Sequence, residues 1–333
     1  MKTYLAISQG TTRNSFLTPG NMELLNRLGS VRECEVPLSE ETVIRSIGDS
    51  EIYLTCWGSP RLSGAILDAA PDLKLLVHLG GTVAPFVSDE MWERGIRVIS
   101  GNRDFAESTA EGALAYLFAA QRDIPFFSRE LKENKRWKEK DAQNRGLLGK
   151  TVGVVSYGAV ARNFVRMIQP FRVKILLYDI VPLPEEEKKR YGIEQVDLET
   201  LFSEADIISV HTPLNDQTHH MIGKELFERI KPDTLFLNTS RGKVVDQTAL
   251  ETELAKGRFR ALLDVYETEP PAADCRLFDL PNVIMMPHMA GPTVDLRPQI
   301  AAALIREAYE YLMNQTPLTR EITRQTARGM SER

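Results

Sequence analysis

Two doubly wound α/β domains, each built on a parallel sheet, are the fold this sequence predicts. Three observations lead there. Short apolar runs alternate with helical periodicity in two separate series, an arrangement that argues for parallel strands covered by helices on both faces. The 333 residues, 43% hydrophobic and 26% charged, suit two cores on the usual scaling of domain size. An amphipathic stretch after the second series is placed to return the chain to the first domain, which would make that domain discontinuous.

In chain order, strands are expected at residues 3–7, 52–55, 73–77 and 97–99, with helices over 22–28, 41–47, 62–69 and 87–94. Good helix formers with apolar residues at helical spacing then fill 107–120, a connecting helix. The second series has strands at 152–155, 174–178, 207–210, 234–237, 261–265 and 283–286, separated by helices such as 160–168 and 248–256. The return helix spans 298–312. The expected domains are therefore 1–102 and 298–333 for the first, and 103–297 for the second. Residues 324–333 are polar and aperiodic, as a frayed tail would be. The charge run 185–190 is expected to be a solvated helix turn.

Composition excludes several function classes. With 41 basic and 46 acidic side chains and a formal charge of -5, there is no basic excess to attract nucleic acid or anionic lipid. The apolar run that opens the chain is too short for a signal peptide, and none approaches the ~20 residues that span a bilayer. Cys34, Cys56 and Cys275 are far apart and form no CxxC pair, so neither a disulfide framework nor a zinc site is expected. No metal is expected, and a cytoplasmic location fits best. The apolar stretch 113–120 suggests either a homodimer interface or packing inside the protein.

Chemistry first becomes legible at Thr151-Val152-Gly153-Val154-Val155-Ser156-Tyr157-Gly158-Ala159-Val160-Ala161. A β run ends in small residues and turns into a helix, where the dinucleotide fingerprint GxGxxG/A would have Ser156, Gly158 and Ala161 at its three positions. Only the middle glycine is intact. Ser156 is tolerable there if its φ stays negative. Tyr157, Gly158, Ala159 and Val160 would then line the pyrophosphate. Asp179, ending the next strand, is placed to accept from the adenosine ribose hydroxyls and repel a 2′-phosphate, favouring NAD over NADP. Alternatively it caps its own loop.

Three further segments close strands downstream: Asn238-Thr239-Ser240-Arg241-Gly242, Asp264-Val265-Tyr266-Glu267-Thr268-Glu269-Pro270 and Pro287-His288-Met289-Ala290-Gly291. They deliver an arginine, a glutamate and a histidine in that order. Arginine is a planar, permanently charged fork that fits a carboxylate bidentately. Histidine exchanges its proton near neutrality, and a neighbouring carboxylate favours its charged form. With a nicotinamide to supply hydride, the three describe a 2-hydroxyacid dehydrogenase in which Arg241 holds a 2-keto acid and His288 protonates its keto oxygen. A surface Arg241 paired with Asp246, or a merely satisfied loop His288, is the bland alternative. Glu267 competes with Glu269 for the carboxylate role. His219, His220 and His78 show no metal-ligand spacing.

On these residues the chain resembles the D-isomer-specific 2-hydroxyacid dehydrogenase family, most densely over 148–293 and more weakly over 72–120. The resemblance implies a flavodoxin-like substrate domain and a Rossmann NAD-binding domain with the active site in the cleft, acting on a small 2-keto or 2-hydroxy acid, in a homodimer. It implies Arg241, Glu269 and His288 as catalytic residues, the glutamate being the one directly before the proline, which leaves Glu267 expected to be solvated. Thr212 and Pro213, after His211, would contact the cofactor, as would Thr239, Ser240, Asp264, His288 and Gly291, with Asp264 near the nicotinamide. Gly80 and Gly81, in His78-Leu79-Gly80-Gly81-Thr82-Val83-Ala84, would join Arg241 and His288 in binding substrate. That loop departs from the family's glycine and aspartate pattern at Thr82 and in lacking the aspartate, which leaves the substrate's side chain unread. Glu269 stands where formate dehydrogenases carry glutamine, which disfavours formate. The same resemblance also admits an NAD-sensing regulatory or corepressor-like protein.

Overall fold

The computed structural model describes residues 1–138 and 144–331. The chain divides into two compact units, Met1–Phe105 with Pro292–Arg333, and Ala106–Gly291; the junctions expected from sequence lay after residues 102 and 297.

The first unit holds a five-stranded parallel sheet of β1 (Lys2–Ala6), β2 (Ser30–Glu33), β3 (Ile52–Thr55), β4 (Leu75–His78) and β5 (Arg97–Ser100), in the order β2-β1-β3-β4-β5. That is the flavodoxin-like order. Side chains alternate between the two faces of a strand, and here both faces are buried. Tyr4, Tyr53, Leu76 and Val98 enter one apolar cluster, while Leu5, Leu54, Val77 and Ile99 enter the other with Ile300, Leu304 and Ile305 of the return helix. Burial on both sides explains why these strands read as continuous apolar runs. The edge strand β2 was missed because three of its four residues are polar and exposed.

The second unit holds seven parallel strands: β6 (Thr151–Val155), β7 (Lys174–Tyr178), β8 (Ile193–Gln195), β9 (Ile207–Val210), β10 (Leu235–Asn238), β11 (Arg260–Leu263) and β12 (Val283–Met285). Their order, β8-β7-β6-β9-β10-β11-β12, reverses direction between β6 and β9. This is the Rossmann arrangement, whose crevice opens at the carboxyl ends of the strands on either side of that reversal. Apolar alternation again feeds two clusters: Val154, Leu177, Leu237 and Leu262 on one side, Leu176, Ile208, Phe236 and Leu263 on the other. The apolar stretch of the helix Asn102–Gln121 is accounted for inside this unit, since Ala113, Leu117 and Ala120 are buried in its core.

One expectation fails at the C-terminal end. Residues 324–331 are not a frayed tail. Thr323 caps a short helix, Arg324–Arg328, by accepting from the Thr326 amide. Ala327 is buried, Met330 packs on the first unit's core, and Arg324 pairs with Asp89. One buried face per turn is too short a pattern to show as periodicity. Residues 332 and 333 of that expected tail lie outside the described residues.

Candidate active site

Every expected site residue in the second unit follows the carboxyl end of a strand. Ser156, Tyr157 and Gly158 follow β6, Asp179 follows β7, and Thr212 and Pro213 follow β9, so the fingerprint flanks the reversal of strand order. Gly158 opens the ten-residue helix Ala159–Ile168 without a side-chain cap, which leaves the first-turn amides of Ala159 and Val160 available to an anion. Apart from Gly158 and its chain neighbours, no atom of the described residues lies within 4 Å of where a Cβ on Gly158 would be. The Oγ1 of Thr239, at the end of β10, is buried without a partner. An open cradle at a helix N-terminus and an orphaned hydroxyl nearby in the sheet order fit a dinucleotide, so these residues suit NAD.

Ser156 is the first correction. Its φ is 71°, in the left-handed region that disfavours a side chain. Its hydroxyl bonds to the Thr212 hydroxyl at 2.9 Å and its amide donates to the Tyr178 carbonyl at 2.8 Å, contacts that offset the strain. Ser156→Ala removes the hydroxyl and keeps the strain, whereas Ser156→Gly removes both. The glycine variant should therefore be the more stable of the two by about 1 kcal/mol; urea unfolding of the pair that shows no difference would refute the strain argument.

Asp179 has a second task beside the expected one. Its Oδ2 accepts from the Tyr157 amide at 2.7 Å and its Oδ1 from the Val181 amide at 2.8 Å. It therefore shapes the fingerprint turn and its own loop, while a carboxylate retains further lone pairs for hydroxyl donors.

At β10, Ser240 N–H donates to the Asn238 side chain at 3.0 Å, and Arg241 Nη1 donates to the Ser240 carbonyl at 2.7 Å. Burial pulls the Arg241 guanidinium below its ordinary value, opposed by the charge of Glu269; it remains a cation at any working pH. Asp246 caps the helix Gln247–Leu254 by accepting from the Ala249 amide at 2.9 Å. Gly242 cannot be replaced, because a Cβ there would stand 2.0 Å from the Tyr266 carbonyl oxygen.

Glu269 Oε2 lies 2.6 Å from His288 Nδ1, and its Oε1 accepts from the Tyr266 amide at 3.1 Å. Burial raises the Glu269 pKa, but hydrogen bonds from His288 and the Tyr266 amide, with the charges of His288 and Arg241, outweigh it and leave the group below its ordinary 4.5. Glu269 is thus an anion at neutral pH and can only accept. His288 Nδ1 must carry the hydrogen between them, which leaves Nε2 as the nitrogen that exchanges protons with anything bound. A depressed carboxylate contributes stability above its unfolded pKa and loses it as pH falls through the folded value. Unfolding midpoints of the wild type and Glu269→Gln should accordingly converge below about pH 4.5; a gap constant from about pH 7 to about pH 3 would contradict the pairing.

His288 itself sits at φ 54°, strain of the kind that collects at functional sites. Its amide donates to the Asp264 carbonyl at 2.9 Å. Asp264 then takes the Met289 amide on Oδ1 at 2.8 Å and the Ala290 amide on Oδ2 at 2.9 Å, with Tyr116 OH donating at 3.4 Å. Burial raises the Asp264 pKa against these bonds. The carboxylate expected near the nicotinamide therefore also holds the histidine loop. Gly112 packs where a Cβ would touch the Ala290 carbonyl, bringing the helix Asn102–Gln121 against that loop.

Glu267 is the second correction. It is only partly exposed, and it pairs with His220 at 2.6 Å and accepts from the Gln247 amide. Sequence reasoning missed it because its partner lies 47 residues upstream, in a segment with no motif of its own. In the first unit, Gly80 and Gly81 follow β4. A Cβ on Gly80 would collide with Nε2 of His78, whose ring is fully buried, and Ser100 donates to the Gly81 carbonyl at 3.2 Å. Burial pushes His78 down to about 3, so it is neutral. Among the described residues no group of three or more His, Cys, Asp or Glu side chains could hold a metal.

Comparison with known proteins agrees with this architecture. The family profile "D-isomer specific 2-hydroxyacid dehydrogenase, NAD binding domain" matches residues 114–290, more than half of the chain. A hydroxypyruvate reductase of Thermotoga maritima is 30% identical over 300 residues, covering 88% of this chain and 96% of that protein. The chain belongs to the D-isomer-specific 2-hydroxyacid dehydrogenase family. This family member is also 32% identical to a glyoxylate reductase of Korarchaeum cryptofilum over 85% of its length and 86% of the relative's. Its fold matches the apo D-mandelate dehydrogenase of Rhodotorula graminis with a TM-score of 0.81 at 21% identity, covering 97% of this chain and 98% of that one. The second unit is thus the family's NAD-binding domain and NAD(H) its cofactor. No helix among the described residues is long and apolar enough to cross a membrane.

Proposed function

We propose that this dehydrogenase interconverts a small 2-keto acid and its D-2-hydroxy acid, with Arg241 holding the carboxylate, His288 as acid and base, and Glu269 orienting and charging the histidine. The observation that carries this is the 2.6 Å bond between His288 Nδ1 and an ionised Glu269 that also feels the Arg241 charge. When bound, NADH would supply the hydride that C2 of the keto acid accepts. In reduction, protonated Nε2 donates to the alkoxide that develops on the keto oxygen, and the imidazolium is stabilised by Glu269 until that moment. In oxidation the bare Nε2 accepts the hydroxyl proton. Reduction consumes one proton per turnover, so rising pH should shift the equilibrium toward the keto acid.

Gly80 and Gly81 are proposed to add backbone donors to the substrate carboxylate, and Tyr157 to Val160, Asp179, Thr212, Pro213, Thr239, Ser240, Asp264 and Gly291 to line the cofactor. Relatives named for hydroxypyruvate and glyoxylate reduction support two- and three-carbon keto acids as first substrates. The test is NADH oxidation followed at 340 nm with glyoxylate, hydroxypyruvate, pyruvate and a branched 2-keto acid, repeated with NADPH. Turnover with at least one, faster with NADH, is expected; tight NADH binding without turnover of any would overturn the reading.

A homodimer in the cytoplasm completes the proposal. The helix Ile124–Lys132 buries none of its residues, and Ile124 and Leu131, two turns apart on one side of it, are exposed, an apolar strip that a second copy would cover. Light scattering should give twice the monomer mass, and Ile124→Glu with Leu131→Glu should halve it. A wild-type monomer would refute the dimer.

A further inference from the structure

Beyond the last ladder bond between β10 and β11, from the Asp264 amide to the Asn238 carbonyl, two segments leave the sheet carrying Arg241 and Glu269. His220 touches both. Its backbone N–H donates to the Lys243 carbonyl at 2.8 Å, two residues past Arg241, and its Nε2 meets Glu267 Oε1 at 2.6 Å, two residues before Glu269. The approach is reinforced on each side. Ile222 donates to Val244 at 3.1 Å and accepts from Asp246 at 3.0 Å. Glu267 exchanges two bonds with Gln247, accepting its amide and donating its own to the glutamine side chain, both at 3.2 Å. His220 takes φ 53° to do this, a conformation histidine tolerates better than most side chains, and His219 stacks on its ring at 4.0 Å.

The consequence runs to the reacting nitrogen. Glu267 fixes the stretch that begins at Tyr266, the Tyr266 amide holds Glu269 Oε1, and Glu269 Oε2 holds His288 Nδ1. Tyr266 is also the residue against which Gly242 packs without room for a Cβ. We propose that His220, through Glu267, is a positioning residue of the reaction, a staple that sets the spacing between the substrate-binding Arg241 and the Glu269–His288 pair. This rests on the function proposed above. A displacement of about 1 Å at such a site can cost up to about a hundredfold in rate, so a partly exposed pair can matter more to turnover than to folding.

His220→Asn is the sharp variant: asparagine accepts the left-handed backbone and keeps the N–H to Lys243, but it is too short to reach Glu267. We expect kcat/KM for the keto acid to fall about tenfold, chiefly through KM, with NADH affinity measured by fluorescence and the thermal midpoint unchanged. Glu267→Gln, which retains an acceptor for both partners, should restore most of the activity that Glu267→Ala loses. The double variant His220→Asn with Glu267→Ala should lose no more than Glu267→Ala alone. Kinetic constants for His220→Asn within twofold of the wild type, or losses that simply add, would overturn the staple while leaving the dehydrogenase reading intact. A wild type that reduces no 2-keto acid would overturn both.

Discussion

His288→Ala is expected to lower the rate of 2-keto acid reduction by about 10²- to 10⁴-fold, the usual contribution of a positioned proton donor. The reason lies in the Nδ1 bond. Because ionised Glu269 can accept but not donate, the exchangeable proton of His288 is confined to Nε2, and alanine leaves nothing in that place but solvent. NADH affinity should survive, since the fingerprint turn, Asp179 and Thr212 lie at the ends of other strands. The histidine's left-handed backbone also makes His288→Gly a useful companion, relieving strain while deleting the ring. Both variants should be comparably inactive; retention of full reductive turnover in either would remove His288 from the chemistry.

The second large effect belongs to Arg241→Lys. Charge is preserved, but the fork of donors is replaced by a single ammonium that cannot bind a carboxylate bidentately. Hydrogen bonds to charged groups contribute about 1.5–3 kcal/mol, so KM for the keto acid should rise by about 10- to 100-fold. The Ser240 carbonyl would also lose the Nη1 donor it now has. Unchanged KM would mean that the guanidinium does not bind substrate.

Much of this was legible in the sequence, for a physical reason. Strands buried on both faces announce themselves as apolar runs, so β3, β7 and β9 fall where the sequence puts them, and the residues that follow strand ends in a parallel α/β sheet are the ones with access to a ligand. Arg241, Glu269 and His288 could be singled out as candidates for that reason. Edge strand β2 and the helix Arg324–Arg328 could not, since neither presents enough apolar residues to reveal a period. Positive φ at Ser156 and His288 is a backbone property that composition does not encode for side chains other than glycine. Glu267 and His220 were invisible because a pair joined only in space leaves no spacing to detect. Asp264 stands out in the sequence as a candidate, but its grip on the Met289 and Ala290 amides belongs to tertiary structure.

This site should make one enantiomer of a 2-hydroxy acid, with NADH as reductant. The most direct measurement is to let the enzyme consume a limiting amount of NADH with hydroxypyruvate or pyruvate and to quantify the product by chiral chromatography. One D-2-hydroxy acid formed per NADH oxidised is the result expected; an L or racemic product, or NADH bound but not consumed, would contradict the account.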